Sequence, residues 1–316
     1  MSDDSGVIMS IFSKNGVSLD RLQTLEKVVR AGSFVLAANG DPTRASLISR
    51  QMGELEEALG VQLLDRTKKP FQSLPAARRL AEACERFVRE VEEVSAEAQG
   101  TRRPITAGAG EVVIREFLIP MIGKQRKGTV PLSWVMRNLT GRKIQEELTA
   151  ERLDVGLASG LEETGTVKVV NLESYGIKLL LPEGEAPDKT GWKRLEDLPV
   201  VLMNGDQTFR RVLAECEREH GVTLRVGAEC TSYPQAVDLA EISGWAVFVP
   251  ELWWRRRKDW QARTQALPGL DGPEGYRRTL QLGWNRKVVE RRPEVARLVK
   301  AIGGKIGKSE IGKVES

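Results

Sequence analysis

The chain has 316 residues, 41% of them hydrophobic and 29% charged, with a formal net charge of +4 and a single histidine. That length and balance suit globular cores in one large domain or two to three smaller ones, and exclude disorder along the whole chain. Apolar runs fall short of the ~18–20 residues a spanning helix needs, which excludes a helical membrane protein. Cys84, Cys216 and Cys230 are odd in number and unpaired in spacing, which argues for free thiols over a disulfide framework or a zinc cage. With His220 as sole histidine, a multi-histidine metal site is excluded and any Ser-His-Asp triad would have to use it. The opening Met1-Ser2-Asp3-Asp4 is acidic and lacks the basic start of a secretory signal, so a cytoplasmic location is expected. A pI near 8.9 permits nucleic-acid binding without demonstrating it.

Residues 1–17 are polar and aperiodic and are read as a loose tail. From Ser18, a candidate N-cap, Leu19, Leu22, Leu25, Val28 and Val29 fall on one helical face that Gly32 stops. A short helix follows Ser33 and breaks at Gly40-Asp41-Pro42, after which Thr43 is expected to cap a third helix running to Leu59. Two helices joined by a tight glycine turn make a helix-turn-helix. In the third helix Ile48, Met52, Leu55 and Leu59 form the buried stripe. Ser46, Ser49, Arg50 and Gly53 then project outward with Arg44 in the first turn, small or cationic residues suited to close approach to phosphates. The acidic Glu54, Glu56 and Glu57 stand at the far end, so the N-terminal half is expected to read DNA. Leu63 to Arg66, a Lys68-Lys69-Pro70 turn and Phe71 to Ser73 read as a hairpin wing with a basic tip.

Pro75 to Gln99 is one long helical pattern in which Ala77, Leu80, Cys84, Phe87, Val91, Val94 and Ala98 alternate steps of three and four. That narrow seam favours a partner helix over a surface helix lying on its own domain. From Pro104 short apolar strands alternate with helical patterns. Strands are expected at 105–108, 132–135, 155–158, 178–181, 200–203, 226–229, 245–249 and 280–284, which implies βαβ units and parallel sheets. Gly108-Ala109-Gly110 is too short for a dinucleotide fingerprint, and nothing in the chain calls for a cofactor. Cys216 and His220 share a helical face but are too few to hold a metal, and His220 before Gly221 suits a helix C-terminus. Trp253-Trp254-Arg255-Arg256-Arg257-Lys258 reads as a surface or subunit contact rather than a nucleic-acid platform.

Between Leu22 and Leu64 the chain resembles a LysR-type transcriptional regulator. The resemblance rests on Gly32-Ser33-Phe34, Ala37-Ala38, Ser49-Arg50-Gln51-Met52, Leu55-Glu56, Leu59-Gly60-Val61 and Leu63-Leu64, without insertion between them. Downstream, Phe117-Leu118-Ile119-Pro120, Leu153-Asp154-Val155-Gly156-Leu157 and Gly244-Trp245-Ala246-Val247-Phe248-Val249-Pro250 extend it to about residues 18–300. It implies a mixed architecture: an N-terminal winged helix-turn-helix (α+β), a long linker helix and a C-terminal two-lobed α/β periplasmic-binding-protein-like domain. The expected domains are residues 17–77, a dimerising helix at 78–100, an effector-binding domain at 101–303 and a flexible tail at 304–316. Its lobes would be 104–174 with 276–303, and 175–275, joined by two crossovers. Two departures stand out. Arg44-Ala45-Ser46 replaces the usual Ser-Gln-Pro, so the base-reading Gln is missing. Ser73-Leu74-Pro75-Ala76-Ala77 replaces Leu-Thr-x-Ala-Gly, where Ser73 could cap one residue early.

The function expected is a sequence-specific DNA-binding regulator, not an enzyme, modulated by a small-molecule effector and acting as a homodimer or homotetramer on double-stranded DNA, away from membranes. A stand-alone solute-binding protein and an α/β enzyme are the competing readings, and the chain offers neither a signal peptide nor a nucleophile–base pair for them. The expected DNA contacts are Ser33, Thr43, Arg44, Ser46, Ser49, Arg50, Arg66, Lys68 and Lys69. The expected effector contacts are Gly110, Glu111, Asn138, Thr140, Asn204, Thr208, Thr231, Ser232 and Tyr233, in loops at strand C-terminal ends. The carboxylates Glu111 and Asp206 would repel an anion unless Arg115, Arg137 or Arg142 turns inward. A neutral polyol-like or cationic effector, or a vestigial cleft, is therefore expected, unless Glu111 merely caps its helix toward solvent.

Overall fold

The computed structural model describes residues 16–101, 103–124, 133–270 and 275–303, the side chain of residue 97 excepted. The expected tails, up to residue 15 and over 304–316, lie outside the described residues. The chain divides into two compact units at Arg103/Pro104, and each is described by itself.

The N-terminal unit opens with α1 (Leu19–Ala31), whose cap Ser18 accepts the Arg21 amide and whose end Gly32 adopts the left-handed φ of 66°. Val17 is 8% exposed and packs in the core, so the expected loose tail ends before it. α2 (Phe34–Ala37) and α3 (Pro42–Leu59) complete the helix-turn-helix. The cap of α3 is Asp41, not Thr43: its carboxylate accepts the amides of Thr43 and Arg44, while Pro42 sits at the first helical position. An aspartate next to a proline that has no N–H to satisfy outcompetes a threonine two residues too late. Met52, Leu55, Leu25, Val28, Leu63 and Leu64 form the core, and Ala45 joins this face. β1 (Leu64–Asp65) and β2 (Gln72–Ser73) pair antiparallel as the wing.

The long helix α4 (Pro75–Ala98) starts with Pro75 as its first residue, and the Leu74 carbonyl accepts the Arg78 amide. The expected Ser73 cap is therefore one residue early. Its apolar seam is split. Ala77, Ala81 and Cys84 are buried, with Leu80 packed in the helix-turn-helix core. Phe87, Val91 and Val94 are 50%, 52% and 66% exposed. Burial raises the Cys84 thiol pKa, so it behaves as a small apolar filler.

The C-terminal unit holds two five-stranded sheets. The first has the order β4-β3-β5-β12-β6, from β3 (Ile105–Ala109), β4 (Trp134–Asn138), β5 (Val155–Ala158), β6 (Val167–Tyr175) and β12 (Arg278–Asn285). β3 is followed by α5 (Glu111–Val113), a π turn (Ile114–Leu118) and α6 (Ile119–Lys124), and β4 by α7 (Gly141–Thr149). The second sheet has the order β11-β7-β10-β8-β9. Its strands are β7 (Ile177–Leu180), β8 (Val200–Met203), β9 (Val226–Cys230), β10 (Ala246–Pro250) and β11 (Thr264–Gln265). The helices that flank it are α8 (Arg194–Asp197), α9 (Gln207–His220), α10 (Tyr233–Ser243), α11 (Glu251–Trp254) and α12 (Lys258–Ala262); α13 (Arg286–Arg291) and α14 (Pro293–Gly303) follow β12.

Both sheets are mixed, which corrects the expectation of parallel ones. β3 pairs parallel with β4 and β5, but β12 runs antiparallel to β5 and β6. β8 pairs parallel with β9 and β10, and β7 antiparallel with β10 and β11. The parallel pairs follow right from βαβ links, whereas β7 and β12 are the strands entered by chain crossing between the sheets. Gly108 and Gly156 mark close packing: a Cβ at Gly108 would stand 2.5 Å from Leu153, and one at Gly156 2.3 Å from Ile144. A buried pair, Arg292 with Asp154 at 2.7 Å, ties α14's approach to the first sheet, and Asp154 also accepts the Thr106 amide at 2.7 Å.

Candidate nucleic-acid interface and sensing cleft

On α3, helical geometry sets Ser49 and Arg50 within about 60° of Ser46, one to either side, away from the buried stripe. Ser46 donates its hydroxyl to the Pro42 carbonyl at 3.0 Å. Arg50 is 72% exposed and makes only an i,i+4 contact with Glu54 at 3.5 Å, a pair too weak to hold it. The wing's Arg66, 41% exposed, makes its hydrogen bonds back toward α3. It donates to Ser49 Oγ and to the Ser49 carbonyl at 3.4 Å each, and to Glu56 at 3.1 Å, with its guanidinium 5.7 Å from the Phe34 ring centre. Arg66 thus braces the wing against α3. Glu56, read from the sequence as part of an acidic end, is the joint's other half: Oε1 accepts the Leu63 and Leu64 amides at 2.7 and 2.9 Å.

At the wing tip Lys68 donates to Gln72 at 2.8 Å, and Lys69 is exposed. Ser33 precedes α2 without a side-chain bond to its cap, and Thr43 is exposed on the first turn of α3. Arg44 is set apart. It lines a groove of about 580 Å³ with Lys27, Arg30, Leu36 and Leu47, turned about 160° around the helix from Ser46. Ala45, where the resemblance led one to expect a base-reading side chain, is 8% exposed and faces the core.

In the C-terminal unit the four expected loops converge. The Leu139 amide donates to Ala109, which places Asn138 and Thr140 beside Gly110 and Glu111, and the Asn204 amide donates to Cys230 beside Thr231. The two pairs of loops meet where Ser232 Oγ donates to Glu111 at 2.8 Å. Thr140 is spent as the cap of α7, accepting the Lys143 amide, and Thr208 is exposed in the first turn of α9. Glu111 therefore neither turns to solvent nor stands bare in the cleft: it bridges the lobes.

Three groups here were not legible in the sequence. Arg278 donates to Asp206 Oδ2 at 2.9 Å and Oδ1 at 3.4 Å, a second bridge across the cleft, while Asp206 also caps α9. Arg278, and not Arg115, Arg137 or Arg142, is the inward cation. Arg137 is spent on Glu147 at 2.7 Å, Arg115 lies over the Trp253 ring, and Arg142 is exposed. Tyr175 shares a hydrogen bond with Ser159 at 3.1 Å, and Tyr276 packs on Phe209 with its hydroxyl buried and unpartnered. Burial opposes the charge on Arg278, but Tyr175, Asp206, Tyr276 and Tyr233 outweigh it and raise its pKa. Burial, reinforced by Asp206, pushes the Tyr233 phenol above its ordinary range, so it stays a protonated donor. The only sequence signal for this cluster is its position, since Tyr175 and Arg278 flank the two crossovers.

In the tryptophan–arginine run Trp253 is buried, Trp254 and Arg257 are half-buried, and Arg255, Arg256 and Lys258 are exposed. Trp253 and Trp260 are each 3% exposed, Arg257 lies over Trp260 and Lys178 over Trp254. His220 ends α9 before left-handed Gly221 and stacks on Trp192.

A helix-turn-helix with a braced wing, joined in one chain to a two-lobed α/β unit whose loops meet in a cleft, defines a DNA-binding regulator with a sensing domain. A family profile described as bacterial regulatory helix-turn-helix protein, lysR family, matches residues 19–78, and one described as LysR substrate binding domain matches residues 98–303. The chain belongs to the LysR family of transcriptional regulators. It is 24% identical over 218 residues to a probable RuBisCO transcriptional regulator of Porphyra purpurea, covering 65% of this chain and 68% of that protein. It is 23% identical over 213 residues to the HTH-type transcriptional regulator AlsR of Bacillus subtilis (strain 168), covering 64% and 70%. The fold is similar to the crystal structure of CbnR, a LysR family regulator, at TM-score 0.61 and 18% identity over 92% of this chain and all of that one. CbnR in complex with its target DNA matches at TM-score 0.60 and 17% identity, over 92% and 99%. Among the described residues no helix is long and apolar enough to cross a membrane.

Proposed function

We propose that this regulator reads its operator through Ser46, Ser49 and Arg50 on α3, with Ser33, Thr43, Lys68 and Lys69 on flanking phosphates and Arg66 holding wing to helix. The observation that carries this is the exposed, weakly paired Arg50 beside two small hydroxyl residues. Residues 17–77 act as the DNA-binding head, 78–100 as the dimerising helix, and 101–303 as the sensor. The protein works in the cytoplasm as a homodimer or homotetramer and as a regulator rather than a catalyst. One winged helix makes too few contacts to specify a genomic site, so paired half-sites about one helical turn apart are the physical requirement.

The effector enters between the loops at Gly110–Glu111, Asn138, Asn204–Thr208 and Thr231–Tyr233. With Asp206 neutralised by Arg278 and Glu111 met by a hydroxyl, the cleft keeps one uncompensated carboxylate among these groups. That charge favours a neutral hydrogen-bonding or a cationic molecule. A gel shift of the full chain on its own upstream DNA, with and without neutral, cationic and anionic metabolites, tests both readings. Retarded bands of a discrete stoichiometry, altered by neutral or cationic compounds, are expected. No specific retardation overturns the regulator's proposed DNA contacts, and a response to carboxylates alone overturns the effector class.

A further inference from the structure

We propose that Asp206 is a built-in ligand of the sensing cleft: its carboxylate fills a seat shared between the two lobes, which bridges them with no molecule bound and shuts free carboxylates out. The inference rests on the reading of this cleft as the sensing site, and adds what occupies that site at rest.

Asp206 lies just after β8 in the second sheet, and Arg278 is the first residue of β12 in the first, so the pair joins the lobes. The guanidinium forks onto the carboxylate, Nη1 to Oδ2 at 2.9 Å and Nη2 to Oδ1 at 3.4 Å. Oδ1 also accepts the Phe209 amide, in the first turn of α9, at 3.2 Å. A planar cation from one lobe and a backbone amide from the other are the donors that a carboxylate ligand needs. The seat is secluded, with the Asp206 and Arg278 side chains 15% and 25% exposed. An arginine that far out of water requires an anion beside it. Glu111 is not a second seat of this kind, since the group it meets is the neutral hydroxyl of Ser232.

Tyrosine marks the same place. The chain has three tyrosines, and all three, Tyr175, Tyr233 and Tyr276, act electrostatically on Arg278. Tyr276 packs on Phe209, and its buried hydroxyl has no partner, so it is a donor that the short Asp206 side chain does not reach. A purely structural ion pair gives no reason for an orphaned phenol at its side, whereas a seat shaped for a molecule does.

Occupancy follows from tethering. A free carboxylate bears the entropic cost of association and Asp206, fixed by the backbone, does not, an advantage of about a thousandfold or more. Ordinary carboxylates therefore leave the wild-type cleft unchanged, and a neutral or cationic effector is what remains able to work on it.

Acetate is the probe, because Asp206→Gly removes the equivalent of its carboxymethyl group and glycine is tolerated at a helix N-cap. The full chain is melted in acetate and in chloride at matched ionic strength, and saturation-transfer NMR on the acetate methyl reads binding directly. Acetate is expected to raise the melting temperature of the Asp206→Gly sensor unit by about 2–4 °C once it exceeds its dissociation constant several-fold. Three chains are expected not to respond: wild type, Asp206→Asn, whose amide still fills the seat, and Asp206→Gly combined with Arg278→Gln. If Asp206→Gly does not fold, Asp206→Ser keeps a cap on α9 and is expected to show the same acetate response. An equal response in any of the three other chains, or none in either Asp206→Gly or Asp206→Ser, overturns the proposal. Neither effector nor DNA is present, so this test and the gel shift fail independently.

Discussion

Phe87→Asp should break the assembly of this regulator while leaving each chain folded. Phe87, Val91 and Val94 are half or more exposed on α4, beyond the point where Cys84 leaves the core. Fully burying a side chain of this kind is worth ~1.5–3 kcal/mol, so covering the exposed half of each yields about 1 kcal/mol. In a symmetric pair six such side chains meet, about 6 kcal/mol of apolar driving force against an association cost of ~4 kcal/mol or more. Phe87→Ala removes about 2 kcal/mol of it across the pair, some 30-fold in dissociation constant. Phe87→Asp also places two carboxylates in an apolar seam, each costing several kcal/mol unpaired, and raises the loss past about a thousandfold. Sedimentation velocity over a range of concentrations reads the outcome: wild type in its assembled form, Phe87→Ala shifted at low concentration, Phe87→Asp one assembly step smaller throughout. Far-UV circular dichroism checks that α4 survives. If both variants sediment as wild type at every concentration, the exposed half of the seam is not an interface.

On DNA, Arg50→Ala is expected to cost about 1–3 kcal/mol on the operator and to relax specificity, whereas Lys68→Ala with Lys69→Ala weakens all sequences alike and flattens the salt dependence; titrations at several ionic strengths separate the two. Arg66→Ala, a brace rather than a contact, should lower affinity together with the thermal stability of the N-terminal unit, and a loss of affinity with unchanged melting would contradict the brace. In the sensor unit Glu147 is 3% exposed; burial alone would raise its pKa, but Arg152 and Arg137 hold it down at about 2. A depressed folded value means the stabilisation is complete above the unfolded value of 4.5 and is lost as pH falls toward 2. The full effect is about 3 kcal/mol, of which about 0.8 is gone by pH 4 and about 2 by pH 3. Glu147→Gln should lose this slope, as urea titrations followed by tryptophan fluorescence would read; all seven tryptophans lie between Trp134 and Trp284, so the signal belongs to the sensor unit alone.

What the sequence disclosed followed how local each cause is. Ser18 and Gly32 bound α1 by bonds to residues three or four away, so the helix was legible, and so was the wing with its two-residue strands. Thr43 misled because the choice between Asp41 and Thr43, two residues apart, depends on Pro42 occupying the first helical position. β6 escaped notice altogether. Lys168, Asn171 and Glu173 interrupt its apolar alternation, and it is held by β12 more than a hundred residues on, with a register shift at Leu280/Gln281. The strand ends led to loops that the structure does bring together, but the cation among them was not legible. Arg278 meets an aspartate 72 residues away, and only the folding of two sheets against each other joins them.

The two chain crossings between the sheets are tied to each other. Arg277 on one donates to the Ser174 carbonyl on the other at 2.9 Å and to Glu251 at 3.1 Å, while Glu251 accepts the Gly176 amide at 2.8 Å. Strands crossing separately could twist, slide or splay the lobes in many combinations. Knotted at Arg277 and Glu251, the two crossings cannot shift independently without breaking these bonds, so any change of angle between the lobes would have to be shared by both.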